Sequence, residues 1–118
     1  MENVSIIFDQ RLDNEFLQSI YEDDIEHAVT VFNQFLQTAP AMMKEIDDNY
    51  QSGVIENLRQ KVHKLKPVFS FVGLTNLTNT AEILEKKCKE ISQINELIFF
   101  YKEFQTQYSR EYPIIENE

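Results

Sequence analysis

Apolar residues recur at steps of three and four along most of this 118-residue chain, the spacing that builds one face of an α-helix. A short apolar stretch, Val4 to Phe8, opens the chain, and its periodicity does not type it. Asp13 is placed to cap a short helix through about Tyr21, with Phe16, Leu17 and Ile20 on one face. Asp23, with Glu26 three residues on, resembles a capping box with Asp in place of Ser or Thr. A long helix should follow, striped by Ile25, Ala28, Val29, Phe32, Phe35, Leu36, Ala39, Met43 and Ile46. Pro40 interrupts that stripe and predicts a kink, because it removes a backbone hydrogen bond. Asn49 to Gly53 is a break. A third long segment runs from Val54 to about Val72 with Ile55, Leu58, Val62, Leu65, Phe69 and Val72 in register, and Gly73 closes it as a C-terminal cap. Leu74, Leu77, Ala81, Leu84, Cys88 and Ile91 repeat the spacing. A last helix is expected from near Ser92, using Ile94, Leu97, Ile98, Tyr101, Phe104 and Tyr108 and fraying at Pro113 and the acidic end.

Four long helices joined by short connections predict an all-α fold. The expected form is an antiparallel up-down-up-down four-helix bundle, with the short N-terminal helix laid over one end. Residues 1–118 read as a single domain. Composition agrees: 42% of residues are hydrophobic, enough for a core, and there are only 2 Gly and 3 Pro, too few for the many turns of an all-β domain. Cys88 is alone, so neither an internal disulfide nor a cysteine-rich zinc site is open to it, as in a reducing cytoplasm. No membrane-length apolar run and no signal-peptide pattern is present, which leaves the Asn3-Val-Ser5 and Asn76-Leu-Thr78 sequons without an acceptor context.

The net charge of −9 argues against nucleic acid and anionic membranes as partners. It is unevenly spread. Between Val54 and Val72, Arg59, Lys61, Lys64 and Lys66 face only Glu56. His63 lies in this basic segment, one position after the core residue Val62, which turns it about 100° from the centre of the apolar stripe. Its helical neighbours are Arg59, Lys66, Pro67 and Ser70. An exposed imidazole in a cationic setting is expected to be neutral, with a lone pair free for nucleophilic attack. His27, beside Glu26, has no such setting and reads as structural. Two distant histidines and one cysteine form no metal-ligand spacing.

The string from His63 through Lys64, Leu65, Lys66 and Pro67 to Gly73 resembles the signature of the histidine-containing phosphotransfer (HPt) family. That pattern is His, any residue, Leu, Lys, usually Gly, then a small and apolar run reaching Gly about ten positions after the histidine. His63, Leu65, Lys66 and Gly73 match it, as does the Leu84-Glu85 pair in the next helix. Pro67 departs from it, standing where the family usually has Gly. Glycine there lets a partner backbone approach. Proline is compact, but it leaves the His63 carbonyl without a helical donor, at about 3 kcal/mol for an interior helix position. A local kink or a bridging water is expected.

The resemblance implies reversible phosphoryl transfer. Nε2 of His63 would attack an aspartyl phosphate on a response-regulator receiver domain, such as that of a hybrid sensor kinase, and pass the group to another receiver. Lys66 would neutralise phosphate oxygens as a point charge. Arg59, Lys64, Pro67 and Ser70 would meet the partner, whose acidic pocket the basic segment should attract. The chain itself would need no cofactor, with Mg²⁺ carried by the receiver, and one docking face makes a monomer the simple expectation. Docking contacts are sought among Phe35 to Met43, with Phe16 or Ile20 and the partly exposed Phe71. Phe35 and Leu36 read as core, as do Tyr101, Phe104 and Tyr108, and Met42 fits either role. Two other readings compete. A non-catalytic helical adaptor would use the same bundle. A histidine-kinase dimerisation domain usually carries an acid directly after its histidine and a proline five positions on, unlike Lys64 and Pro67 here, and needs a nucleotide-binding domain.

Overall fold

The computed structural model describes residues 8–116. Within them the chain forms α1 (Asn14–Tyr21), α2 (Ile25–Ser52), α3 (Ile55–Ser70), α4 (Thr75–Glu90) and α5 (Ile98–Glu116), with a 3₁₀ turn at Ile94–Leu97 leading into α5. No described residue lies in a strand. Val4 to Ile7, the Asn3 sequon and the last two residues lie outside the described part.

Each long helix buries most of the stripe its sequence spells out. Leu58, Val62, Leu65 and Phe69 of α3 are fully buried, as are Leu77, Ala81 and Leu84 of α4. They meet Phe35, Ala39 and Ile46 of α2 and Leu97, Tyr101 and Phe104 from the last segment. Burying a large apolar side chain contributes about 1.5–3 kcal/mol, so these residues dominate the fold's stability. Polar and ring contacts fix the helices against each other. Phe35 meets Phe69, and Glu45 pairs with Lys61 at 3.1 Å, across α2 and α3. Ser70 meets Thr78, and His63 meets Glu85, across α3 and α4. Tyr101 donates to Asp47 at 2.8 Å, and Tyr112 to the Leu36 carbonyl at 3.3 Å, across α2 and α5. The molecule is a rod of 60 × 22 × 20 Å.

α1 lies across the α3–α4 turn. Asp13 caps α1 by accepting from the Phe16 N–H, and also accepts from the Thr75 hydroxyl at 3.0 Å. Its own N–H donates to the Gly73 carbonyl. Gly73 has φ +77°, and a Cβ there would stand 2.7 Å from Leu17 Cδ1, so both conformation and space demand glycine. Tyr21 donates to the Phe71 carbonyl at 2.6 Å and ties the other end of α1 to α3.

Several sequence expectations need correction. The cap of α2 is Asp24, accepting from the His27 N–H, because Glu22 takes φ +51° to turn the chain and the helix starts one residue later than Asp23 implies. The kinks expected at Pro40 and Pro67 are not among these corrections: both prolines lie inside helices, α2 and α3. Pro113 does not fray the end: α5 continues to Glu116 because Ile114 and Ile115 are buried. Ile25, Val29 and Ile98 are exposed, at helix beginnings that reach past the shared core.

Candidate functional site

The rotation that buries Val62 and Leu65 carries His63 outward, and its side chain is 63% exposed. The ring is nevertheless held. Its Nδ1 lies 2.8 Å from Oε1 of Glu85, on the facing side of α4. Oε2 of the same carboxylate lies 2.5 Å from Lys66 Nζ, and Arg59 Nη1 stands 4.0 Å from Oε1. Glu85 thus gathers three basic side chains of α3 on one carboxylate.

Glu85 is 5% exposed. Burial is the largest influence on its carboxyl and opposes ionisation, but the hydrogen bonds from Lys66 and His63, reinforced by their charge, outweigh it and hold the group below the ordinary carboxylate range. An ionised carboxylate can only accept, so the hydrogen sits on Nδ1 of His63, which donates it to Glu85. The lone pair is then left on Nε2. Glu85 fixes both the tautomer and the plane of the ring, as an outer partner does for a metal-bound histidine.

The remaining residues singled out from sequence divide around this point. Lys66 joins His63 through the shared carboxylate. Arg59 stands at its edge, and its nearer partner is Glu56, at 2.5 and 3.0 Å. The cationic setting expected around the ring is therefore corrected: the ion that touches the imidazole is an anion, and two of the neighbouring cations are already paired. Lys64 and Pro67 lie exposed beside His63 on α3, and Lys64 forms no ion pair among the described residues. Ser70 is not brought to the ring. Its hydroxyl donates to the Lys66 carbonyl at 3.4 Å and lies 3.2 Å from the Thr78 hydroxyl, in the α3–α4 seam.

Glu85 is the residue whose role the sequence reading missed. The Leu84-Glu85 pair was visible, but nothing in its spacing says that the acid crosses to His63. A buried position on α4 occupied by Glu, one step from the core residue Leu84, was the available signal, since buried acids are rare unless paired. Cys88, one turn further along α4, is buried, and burial pushes its thiol up to about 11, which keeps it unreactive. No group of three or more His, Cys, Asp or Glu among the described residues is arranged to hold a metal ion.

α2 and α3 enclose a groove of about 210 Å³ lined by Val31, Gln34, Phe35, Thr38, Val68 and Phe71. Phe71 is exposed at its rim, while Phe35 is buried at its base. Leu36, Met42 and Met43 are partly buried against the core, Phe16 is exposed and Ile20 is partly buried. No described helix is long and apolar enough to cross a membrane.

Comparison with known families gives one match. The family model for the Hpt domain matches residues 30–108, about two thirds of the chain, and the matched span contains His63, Lys66 and Glu85. No curated protein and no solved structure matches the chain. An all-helical chain with a solvent-facing histidine, matched over most of its length, belongs to the Hpt domain family, the histidine phosphotransfer modules of two-component phosphorelays.

Proposed function

We propose that His63 is the phosphoacceptor, taking a phosphoryl group from an aspartyl phosphate of one receiver domain and giving it to the aspartate of another. One observation carries this reading: an imidazole that solvent can reach, whose Nδ1 is held 2.8 Å from a buried carboxylate. Nε2 attacks phosphorus, a P–N bond forms, and the acyl-phosphate P–O bond breaks to leave the receiver's carboxylate. The Nδ1 hydrogen stays in place, so the ring becomes a phosphorylated imidazolium whose positive charge faces Glu85. Transfer onward reverses each step. Phosphoryl transfer depends on positioning and charge stabilisation more than on covalent help from the protein, and a ring fixed on a rigid helix supplies the positioning.

Lys66 is the charge donor in this scheme. Its ammonium lies one turn from His63 and can share itself between Glu85 and the incoming phosphate oxygens. Lys64, Pro67 and Arg59 form the near rim for the partner. The α2–α3 groove at Phe71 and Val68 offers an apolar anchor on the helix that carries the histidine, and Ser70 acts from behind by holding α3 to α4. The receiver brings the Mg²⁺ and the acidic pocket, and this chain needs no cofactor of its own. The cross-helix pairs Phe35–Phe69, Glu45–Lys61, Ser70–Thr78 and Asp47–Tyr101 support an up-down-up-down order, with α1 across one end. The lone buried thiol suits a cytoplasmic setting. A single copy carries the whole site.

A receiver domain phosphorylated on aspartate tests the proposal. Label should pass to this chain and be absent from the His63→Gln variant. Label that persists in that variant would refute the assignment of His63, and incubation with ATP alone should label neither protein.

A further inference from the structure

α2 and α3 each hold a proline, and each proline withholds the N–H that a helical residue would give to the carbonyl four positions back. The carbonyls so deprived are those of Leu36, by Pro40, and of His63, by Pro67. The bundle treats the two differently. Leu36 is supplied from another helix: the Tyr112 hydroxyl of α5 donates to its carbonyl at 3.3 Å. Among the described residues no side chain donates to the His63 carbonyl. The donors near it in sequence are committed elsewhere. His63 Nδ1 and Lys66 go to Glu85, Arg59 to Glu56, and Ser70 to the Lys66 carbonyl and Thr78.

This carbonyl belongs to the exposed side of α3, where His63, Lys64 and Pro67 all face solvent. Solvent-side carbonyls lean outward from a helix axis, and a proline ring four residues on crowds the carbonyl further. An acceptor is therefore presented on the same residue as the proposed phosphoacceptor. The charged side chains around it only donate: Lys64, Lys66 and Arg59 carry N–H groups and no acceptor. The one carboxylate at the ring, Glu85, is buried under three bases.

We propose that the His63 carbonyl is a docking acceptor. A receiver domain meets it with an N–H, hydroxyl or ammonium donor at the rim of its acidic pocket, and this bond sets the receiver's distance from Nε2. The proposal rests on the phosphotransfer reading and adds a selection rule to it. A receiver must offer acid to Lys64 and Lys66 but a donor to the backbone between them. An acid at that point would face the carbonyl lone pairs, which disfavours receivers that carry one there. Pro67 acts through the carbonyl, as a positioning residue whose contribution is the N–H it lacks.

Pro67→Ala and Pro67→Val test this. Both restore the N–H and close the helix on the His63 carbonyl, and Val also keeps apolar surface of about the proline's size. Transfer from a phosphorylated receiver is measured as KM and kcat. KM should rise about fivefold in both variants, the worth of one neutral hydrogen bond, with kcat changed less than about twofold. The urea midpoint should rise, because the helix gains a bond. A chain that is more stable yet docks worse has not simply lost structure. An unchanged KM in Pro67→Ala overturns the inference. So does a KM that rises in Pro67→Ala and returns to the parent value in Pro67→Val, which would assign the contact to the ring, and so does a fall in kcat alone. A parent chain that accepts no label sinks the phosphotransfer reading and this inference with it, whereas transfer by the parent with both variants unchanged sinks the inference alone.

Discussion

The two buried charged residues among those described, Glu85 and Glu111, are nearly equal in exposure, at 5% and 6%, and opposite in condition. Glu85, in the α3–α4 seam, meets His63, Lys66 and Arg59 and is held ionised. Glu111, on α5, has one carboxylate oxygen without a hydrogen-bond partner. Burial pushes its carboxyl above the ordinary value, and Gln107, Arg110 and the Leu77 N–H offset that push only in part. The difference teaches where a buried charge has been put to use. At Glu85 the desolvation of a carboxylate is balanced by three bases, and the outcome is an oriented imidazole at the surface. At Glu111 the same desolvation produces no arrangement that reaches solvent chemistry.

The strongest way to break the comparison is to remove Glu85. In Glu85→Ala, the tautomer and plane of His63 are no longer set, and phosphoryl acceptance from a receiver should slow by about 100-fold, the upper range for loss of an outer-shell partner. Stopped-flow or autoradiographic transfer measures this, with helical content as the control for folding. An unchanged rate would remove Glu85 from the mechanism. Glu85→Gln sharpens the point. Its amide oxygen can still accept from Nδ1–H, but it offers Lys66 no charge, so about a tenfold loss is expected, most of it recoverable at low ionic strength if Lys66 then serves the phosphate alone. Lys66→Ala should slow transfer by about tenfold without unfolding the bundle, as one charge-assisted contact is worth roughly that factor.

Much of this was legible along the chain. The stripes of α3 and α4 are almost wholly core residues in the structure because their spacing is regular and both helices are covered along their length. The outward turn of His63 followed from Val62 alone. The reading was less accurate where tertiary contact overrides local signal: Pro113 ends no helix because Ile114 and Ile115 find the core, and Ile25 and Val29 extend a stripe past the region that could bury them. The charge around His63 was misjudged for a related reason. Arg59, Lys64 and Lys66 are close to it in sequence, whereas Glu85 is close only in space, and periodicity carries no information about which residue of a neighbouring helix faces a given side chain.

The smallest expected effect lies at the other glutamate, and it is one of sign. A carboxyl whose folded-state pKa is raised above its unfolded value favours the fold while it is protonated, and that contribution is lost as pH rises through the raised value. Glu111 should therefore lower stability progressively as pH climbs from its ordinary 4.5 toward neutrality. Glu85 runs the other way: its lowered carboxyl contributes stability above the ordinary range, lost as pH falls through the lowered value. In Glu111→Gln the shape and the link to the Leu77 N–H remain while the charge is gone, so urea midpoints at pH 7 should rise by the equivalent of about 1 kcal/mol, shrinking to nothing near pH 4. Phosphotransfer by this variant should match the parent, because Glu111 touches neither His63 nor the α2–α3 groove. A variant less stable than the parent at pH 7 would mean that the Glu111 carboxylate is stabilising as an anion at the start of α4, and the contrast with Glu85 would then be one of partner rather than of charge.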